Sequence, residues 1–524
     1  MKRSIFLWMV LLSAGSLSAQ TSSIWSDPAI GGEGKADPRQ EFVSYVTRET
    51  AVKGDPNEAP HYLPLDGKWR VLLSTTDEGG EPGFYRPGFT SSAWQEVTVP
   101  NLEPDRGADP FLDLMPPQLP PENPLVQYRA VIDVPYLWLD RDMFVHIEGV
   151  GGAYTLYVND RRIGYNNDAH TPTEFEISDA VTDGINTIGI EVYGYSTGNW
   201  METLVPGSLP GTLGKVYVYS QPKLRIEDFV IRTRGDSTGI HGWVDFAVVM
   251  SNSYRDQQKI TLGYDIYSPA GKLLTYNLIE TEIPGNSTDT LYRREVLENV
   301  LKKMSWSPQS PQLFDLMLYT RRDGRITEYI PMKFGLNETE LRDGELWING
   351  KRAELKAVDY NAARTEDVTK KELRTLKNGG INTVCVAYPQ PRWFYELCNE
   401  VGMYVIDQAN INAGYRTNDR NVGGSLVNDP AFLPQFIDRA ATMQGRSKNY
   451  TSVIALSMGG QCGNGYNMYK TYQWLKQSDS LHYVTYRDVQ GEWNSDFPFP
   501  ETVDAARYLN GSAATTSKTK STRR

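Results

Sequence analysis

Residues 451–467 read TSVIALSMGGQCGNGYN, and this stretch decides the fold. An unbroken apolar run, 453–456, ends in a small, Gly-rich turn. Strands buried on both faces read this way, and such strands belong to parallel sheets flanked by helices. The turn after such a strand is where an α/β barrel places its active-site residues. That position calls for a carboxylate, an imidazole or a metal ligand. The side chain supplied is Gln461, which neither gives nor takes a proton.

Working outward, the same grammar continues in both directions. Strand ELKAVDY (354–360) leads to helix TKKELRTLKNGG (369–380), with a capping box at Thr369 and Glu372 and a stop at Gly379 and Gly380. TVCVAYP (383–389) precedes helix RWFYELCNEVG (392–402), and MYVIDQAN (403–410) precedes PAFLPQFIDRAATMQGR (430–446). The 451–467 strand leads to YKTYQWLKQSD (469–479), followed by strand HYVTYRDV (482–489). Repeated βα units predict a parallel sheet over 336–510.

Upstream the pattern is different. Between 60 and 221 the chain runs in short period-2 segments such as QYRAVIDVP, MFVHIEGV, YTLYVNDRRIGY and TIGIEVYGY, punctuated by Gly, Pro, Asn and Asp. That predicts a β-sandwich. A second β-rich stretch, 222–335, holds enough strands for a seven-strand immunoglobulin-like sandwich. The fold class expected is therefore multidomain β plus α/β. Residues 1–20, MKRSIFLWMVLLSAGSLSAQ, pair Lys2 and Arg3 with an apolar run and a small-residue region, the pattern of a signal peptide cut near Ala19 or Gln20. No Cys sits there for a lipid anchor, and no later segment is apolar enough to span a membrane. The polar tail 511–524 is expected to be disordered.

Composition narrows the function classes. A net charge of −11 without a basic stripe argues against nucleic acid. Three cysteines, Cys385, Cys398 and Cys462, lie outside any C-x-x-C spacing and are expected as buried thiols; five His in the chain make a metal centre hard to assemble.

Specific residues carry a family resemblance. GVGGAYTLYVNDRRIGYNNDAHTPTEFEISDAVTDGINTIGIEV (149–192) resembles the sugar-binding jelly roll of glycoside hydrolase family 2, the β-galactosidase family. GKVYVYSQPKLRIEDFVIRT (214–233) resembles its passage into the immunoglobulin-like domain. LWINGKRAELKAVDYN (346–361), WFYELCNEVGMYVIDQANI (393–411) and RSKNYTSVIALSMGGQCGNG (446–465) resemble its barrel start, third strand and acid/base strand. The resemblance implies a jelly-roll β-sandwich, an immunoglobulin-like β-sandwich and a (β/α)8-type barrel. It also implies retaining hydrolysis by two carboxyl groups about 5 Å apart.

The catalytic positions depart from the family pattern. Where the family places Asn-Glu for the acid/base, this chain has Gly460 and Gln461. Where the third-strand motif supplies a Glu and a His to magnesium, it has Asn412 and Gly414. The His-rich turn after the first strand is DYNAAR (359–364), with Asn361 and no His, and the sodium- and sugar-binding loop WSDG is YSTG, with Thr197 in place of Asp. The family's Arg-x-Ser-His-Tyr-Pro motif is CVAYP (385–389), and no nucleophile motif follows 482–489. Scaffold residues Asn159, Gly164, Pro172, Phe175, Tyr404, Asn410, Gly463, Asn464 and Gly465 remain. Magnesium and sodium ligands are thus expected to be absent.

Replacement carboxylates are available on paper: Asp359 and Asp407 at strand ends, Glu492 and Asp496 after the fifth strand. Trp393, Tyr395, Tyr415 and Trp493 are candidates to stack on a sugar. Five or six strands cannot close a (β/α)8 barrel, which takes about 250 residues. Such a half-barrel leaves two parallel edges to be covered by a partner chain, by self-association or by 492–510. The expected function is an exported, non-catalytic binder, a structural subunit or glycan-recognition module of a periplasmic, outer-membrane-associated or extracellular setting. The alternative is a β-galactosidase-like glycosidase, and a third reading is a truncated remnant.

Overall fold

The computed structural model describes residues 23–509 apart from 106, 108, 364, 479 and 480. The predicted signal peptide and the polar tail lie outside the described residues.

Two antiparallel sheets form the first sandwich. The larger has seven strands in the order Gly32–Glu33, Arg161–Asn166, Ala153–Val158, Gly184–Tyr193, Leu125–Val134, Gly67–Ser74 and Gln95–Val99. The smaller runs Tyr62–Pro64, Leu213–Pro222, Arg141–Val150 and Thr173–Glu176. Period-2 alternation sends Ile188, Ile190 and Val192 to one face, where they meet Val145, Ile147 and Val218 in one apolar core. The hairpin at residues 158–161 needs a left-handed residue, and Asn159 supplies it at φ 54°. Its amide then bonds the carbonyl of Ala180 at 2.7 Å and accepts from the N–H of Thr187 at 3.0 Å.

The second sandwich packs a three-stranded sheet (Leu224–Gly235, Gly242–Asn252, Ser287–Leu297) against a four-stranded one (Leu273–Ile283, Gln258–Tyr267, Phe314–Arg322, Arg325–Phe334). Phe229, Phe246, Met250, Leu262, Phe314 and Phe334 fill it. Seven strands match the immunoglobulin-like expectation.

Beyond a small antiparallel sheet at Thr339–Arg342, Glu345–Ile348 and Lys351–Arg352 comes a wholly parallel sheet. Its strands are β1 (Ala357–Asp359), β2 (Thr383–Cys385), β3 (Tyr404–Gln408), β4 (Val453–Ser457), β5 (Tyr483–Tyr486), β6 (Phe497–Pro498) and β7 (Thr502–Asp504). Its main helices are α1 (Glu366–Asn378), α2 (Arg392–Val401), α3 (Leu433–Ser447) and α4 (Tyr466–Ser478). Helix α1 starts earlier than the spacing predicts. Thr365 is its N-cap, accepting from the N–H of Val368, whereas Thr369 is buried inside the helix and accepts from the N–H of Ala363 at 2.9 Å. A Thr within the first turn satisfies the same consensus, and burial chose between the two.

The strand order is β6-β5-β4-β3-β2-β1-β7. The two short strands belong to one extended segment, 497–504, that pairs first with β5 (Thr485 beside Phe497) and then with β1 (Ala357 beside Thr502). Four peptide steps from Pro498 to Thr502 span at most about 14 Å, so the two sides of the sheet curl towards each other. Of the coverings expected for the two edges, the chain's own segment is seen: 497–504, within 492–510, runs along both. Phe497 enters the inner core with Cys385, Tyr404, Ile406 and Ala455, above Trp306, Leu346 and Ile348. All three cysteines are unbridged and buried.

Candidate functional site

At the C-terminal ends of the parallel strands lies a cavity of about 380 Å³. Asp359 ends β1 and Asn361 follows it, Gln408 ends β3 and Asn412 follows it, Gly460 and Gln461 follow β4, and Arg487 follows β5; all line it. Leu204 and Val205 of the first sandwich, with Tyr360, Cys385, Val386 and Ala387, complete its wall.

Four side chains of the lining, Asn361, Gln408, Asn412 and Gln461, are amides. Gln408 Nε2 donates to the carbonyl of Ala387 at 2.7 Å and to Asn412 Oδ1 at 3.1 Å. Asn412 Nδ2 donates to the same carbonyl at 2.8 Å. Asn361 Oδ1 accepts from the N–H of Ala387 at 2.9 Å. Gln461 is exposed at the mouth. A Cβ on Gly460 would come within 2.7 Å of Asn412 Oδ1, so the amide of Asn412 sits where a side chain at 460 would begin.

Asp359 is the one carboxylate of the lining, and it is engaged. Arg487 donates to it through both terminal nitrogens, the longer contact at 3.3 Å, and Thr502 Oγ1 donates to Asp359 Oδ2 at 2.8 Å. These contacts join β1, β5 and β7. Asp407 points the other way, to the helix layer: Tyr395 of α2 donates to its Oδ1 at 2.8 Å, while Oδ2 is buried without a hydrogen-bond partner. Burial pushes its carboxyl up to about 6, against the lowering effect of the Tyr395 hydroxyl. Asp359 and Asp407 therefore lie on opposite faces of the sheet and form no pair.

The other candidates lie elsewhere. Glu492 pairs with Arg420 at 3.1 Å, and Asp496 with Lys476 at 2.7 Å and the Tyr472 hydroxyl at 2.6 Å. Tyr395 is buried, Tyr415 and Trp393 pack against the core, and Trp493 stacks on Tyr469. None of the four aromatics lines the cavity. Burial pushes the Cys385 thiol up, and the Tyr360 hydroxyl, likewise pushed up, donates to Glu372 at 2.6 Å. Among the described residues the cavity has no imidazole and no unengaged carboxyl.

The positions implied for metals are engaged with neighbouring groups of the protein. The first sandwich lays its loop over Gly414: Thr203 Oγ1 accepts from the N–H of Gly414 at 2.7 Å, and a Cβ there would meet Leu204 at 2.7 Å. Asn412 is committed to the amide network. Thr197 is buried, accepting from Gln435 at 3.0 Å and donating to the carbonyl of Asp27 at 3.3 Å. Beside this loop a buried cluster joins the sandwich to the barrel. Arg439 of α3 reaches Glu202 at 2.6 Å and Asp168 at 3.6 Å, and Asn410 donates to both carboxylates at 2.9 and 2.7 Å. Of these, sequence reasoning singled out Asn410 alone. The signal for Arg487 was visible, an Arg directly after the fifth strand with an Asp at the end of the first, but it needs the sheet to curl before the two can meet.

Comparison with known proteins follows the same three units. The model for the glycosyl hydrolases family 2 sugar binding domain matches residues 65–222, the glycosyl hydrolases family 2 model matches 224–336, and the family 2 TIM barrel domain model matches 339–508. A beta-galactosidase of Priestia megaterium is 29% identical over 478 residues, 86% of this chain and 46% of its own length. One of Streptococcus thermophilus is 28% identical over 522 residues, 94% of this chain and 49% of its own. The chain thus spans about half the length of the curated relatives it matches. Among solved structures, a Bacteroides uniformis beta-glucuronidase superposes with a TM-score of 0.66 at 16% identity, over 81% of this chain and 52% of that one. A Parabacteroides merdae beta-glucuronidase does so at 0.64 and 19%, over 81% and 57%. Sandwich, immunoglobulin-like unit and parallel barrel, matched in order across most of its length, place this chain in glycoside hydrolase family 2.

Proposed function

We propose that this family 2 chain acts by binding and not by hydrolysis, as a structural subunit or a glycan-recognition module. One observation carries the reading: the cavity's single carboxylate is held by Arg487 and Thr502, and Gln461, which the family resemblance aligns with the acid/base, offers an amide there. Glycosidic cleavage needs a proton for the leaving oxygen and a carboxylate at the anomeric carbon. General acid catalysis is worth roughly 10²–10⁴-fold, and an amide supplies none of it. An amide-lined cavity remains competent to exchange hydrogen bonds with sugar hydroxyls, since Gln461 and the amide nitrogen of Asn361 are not consumed by the network described above.

The leader-like residues 1–20 support export to the cell envelope. The alternative reading is a β-galactosidase-like glycosidase using Asp359 or Asp407, favoured by the family membership itself.

The deciding experiment is turnover of aryl β-galactoside and aryl β-glucuronide by the purified chain, with galactose and glucuronate titrated calorimetrically in parallel. The proposal expects no turnover above the buffer rate. Hydrolysis that vanishes in Asp359→Asn or Asp407→Asn would overturn it in favour of the glycosidase.

A further inference from the structure

His146 and Glu148 lie two residues apart on strand Arg141–Val150, so both project from the same face of the smaller sheet. Over that face run Glu41, from the segment preceding the first sandwich, and Arg446 of α3, paired to each other at 2.8 Å. His146 is fully buried, and the Tyr217 ring stacks on it at 4.4 Å with 13° between planes.

The two ring nitrogens have different fates. Nδ1 lies 3.0 Å from Glu174 Oε1. Glu174 also pairs with Arg39 at 3.3 Å, so its carboxylate accepts and Nδ1 carries the hydrogen. Nε2 is left buried with no hydrogen-bond partner, 3.9 Å from Glu148 Oε1. In the neutral imidazole this sets a lone pair against a carboxylate. A second proton or a cation between them would give Nε2 the partner it lacks.

We infer that Glu41, His146 and Glu148 form a binding site for a divalent cation of the zinc type, outside the barrel cavity. One donor atom from each lies within 4.8 Å of the other two. Zinc bonds of about 2.0–2.1 Å place tetrahedral ligands roughly 3.4 Å apart, so closure needs movements of about an ångström. The histidine is held by Glu174 and Tyr217, while both glutamates are partly exposed, so the movement falls to them. A carboxylate on the far ring nitrogen is the partner that orients metal-binding histidines. One nitrogen and two carboxylate oxygens suit zinc or manganese(II) better than a soft ion. Arg446 is the competitor, since its pairing with Glu41 must loosen as the cation enters. The bound cation would clasp the leading segment to the sandwich beside the barrel's third helix.

The test uses the full chain, stripped with chelator, dialysed, and titrated with zinc chloride and cobalt chloride by calorimetry and visible absorption. The expected result is one saturable equivalent, a cobalt d–d band, and a higher Tm with zinc. His146→Gln and Glu148→Gln should each weaken binding at least tenfold; if the first fails to fold, Glu148→Gln and Glu41→Gln carry the reading. Binding equal in these variants, or no binding, would overturn the site. So would ¹⁵N spectra showing both His146 nitrogens protonated at pH 7.5 in saturating zinc, which would make the residue an imidazolium between Glu174 and Glu148.

Discussion

At the scale of single residues, the cavity shows substitutions that fit one another. Gly460 makes room for Asn412, and Gly414 makes room for Leu204. Asp407 is the residue with a measurable cost. Burial pushes its carboxyl up to about 6, from an ordinary value of 3.8. Between those values the native state holds more protons than the unfolded one, so stability falls as pH rises through the window and stays lower above it. The full effect is roughly 3 kcal/mol, about half of it falling between pH 5 and pH 8. Urea unfolding at those two pH values should show the native chain losing roughly 1.5 kcal/mol relative to Asp407→Asn, which carries no charge to bury. A parallel pH response in the two proteins would refute this.

At the scale of elements, the central βα units were legible because their apolar runs and helix stops are local. The helix α2 shows it: Gly402 at φ 78° closes it on the carbonyl of Cys398, as its position after the last periodic residue predicts. The segment 497–504 was harder. FPFPETVD carries two prolines in eight residues, and Pro argues against a strand interior. It pairs in two short pieces on two different partners, which no sequence period records. The site was legible as a set of positions; which carboxylates converge was not, since Asp359 and Asp407 differ only in the face to which strand parity sends them. Arg487→Ala removes the contact that joins β1, β5 and β7, and a pair of this partly exposed kind is worth up to about 1 kcal/mol. Amide hydrogen exchange across 502–504 should then quicken by about fivefold while exchange in the jelly-roll strands stays unchanged. Equal exchange in variant and parent would mean that backbone pairing alone holds β7.

At the scale of the whole molecule, the first sandwich and the barrel are joined by charge buried in their interface. Arg439, 1% exposed, serves Asp168 and Glu202 from across it, and burial of Asp168 is outweighed by Arg439 and by hydrogen bonds that lower its carboxyl. Arg439→Met strands two carboxylates away from water and should cost about 3–5 kcal/mol in denaturant unfolding. Adding Glu202→Gln should recover part of the loss, and a variant as stable as the parent would show that water reaches the interface. The seam along 497–504 has a consequence in time as well as in space. Domains tend to fold from the N-terminus as the chain is made, and here both sandwiches can be complete while the parallel sheet still lacks the segment that borders β1 and β5. Until residue 504 is available, that sheet is the part of the molecule a chaperone or another nascent chain would meet.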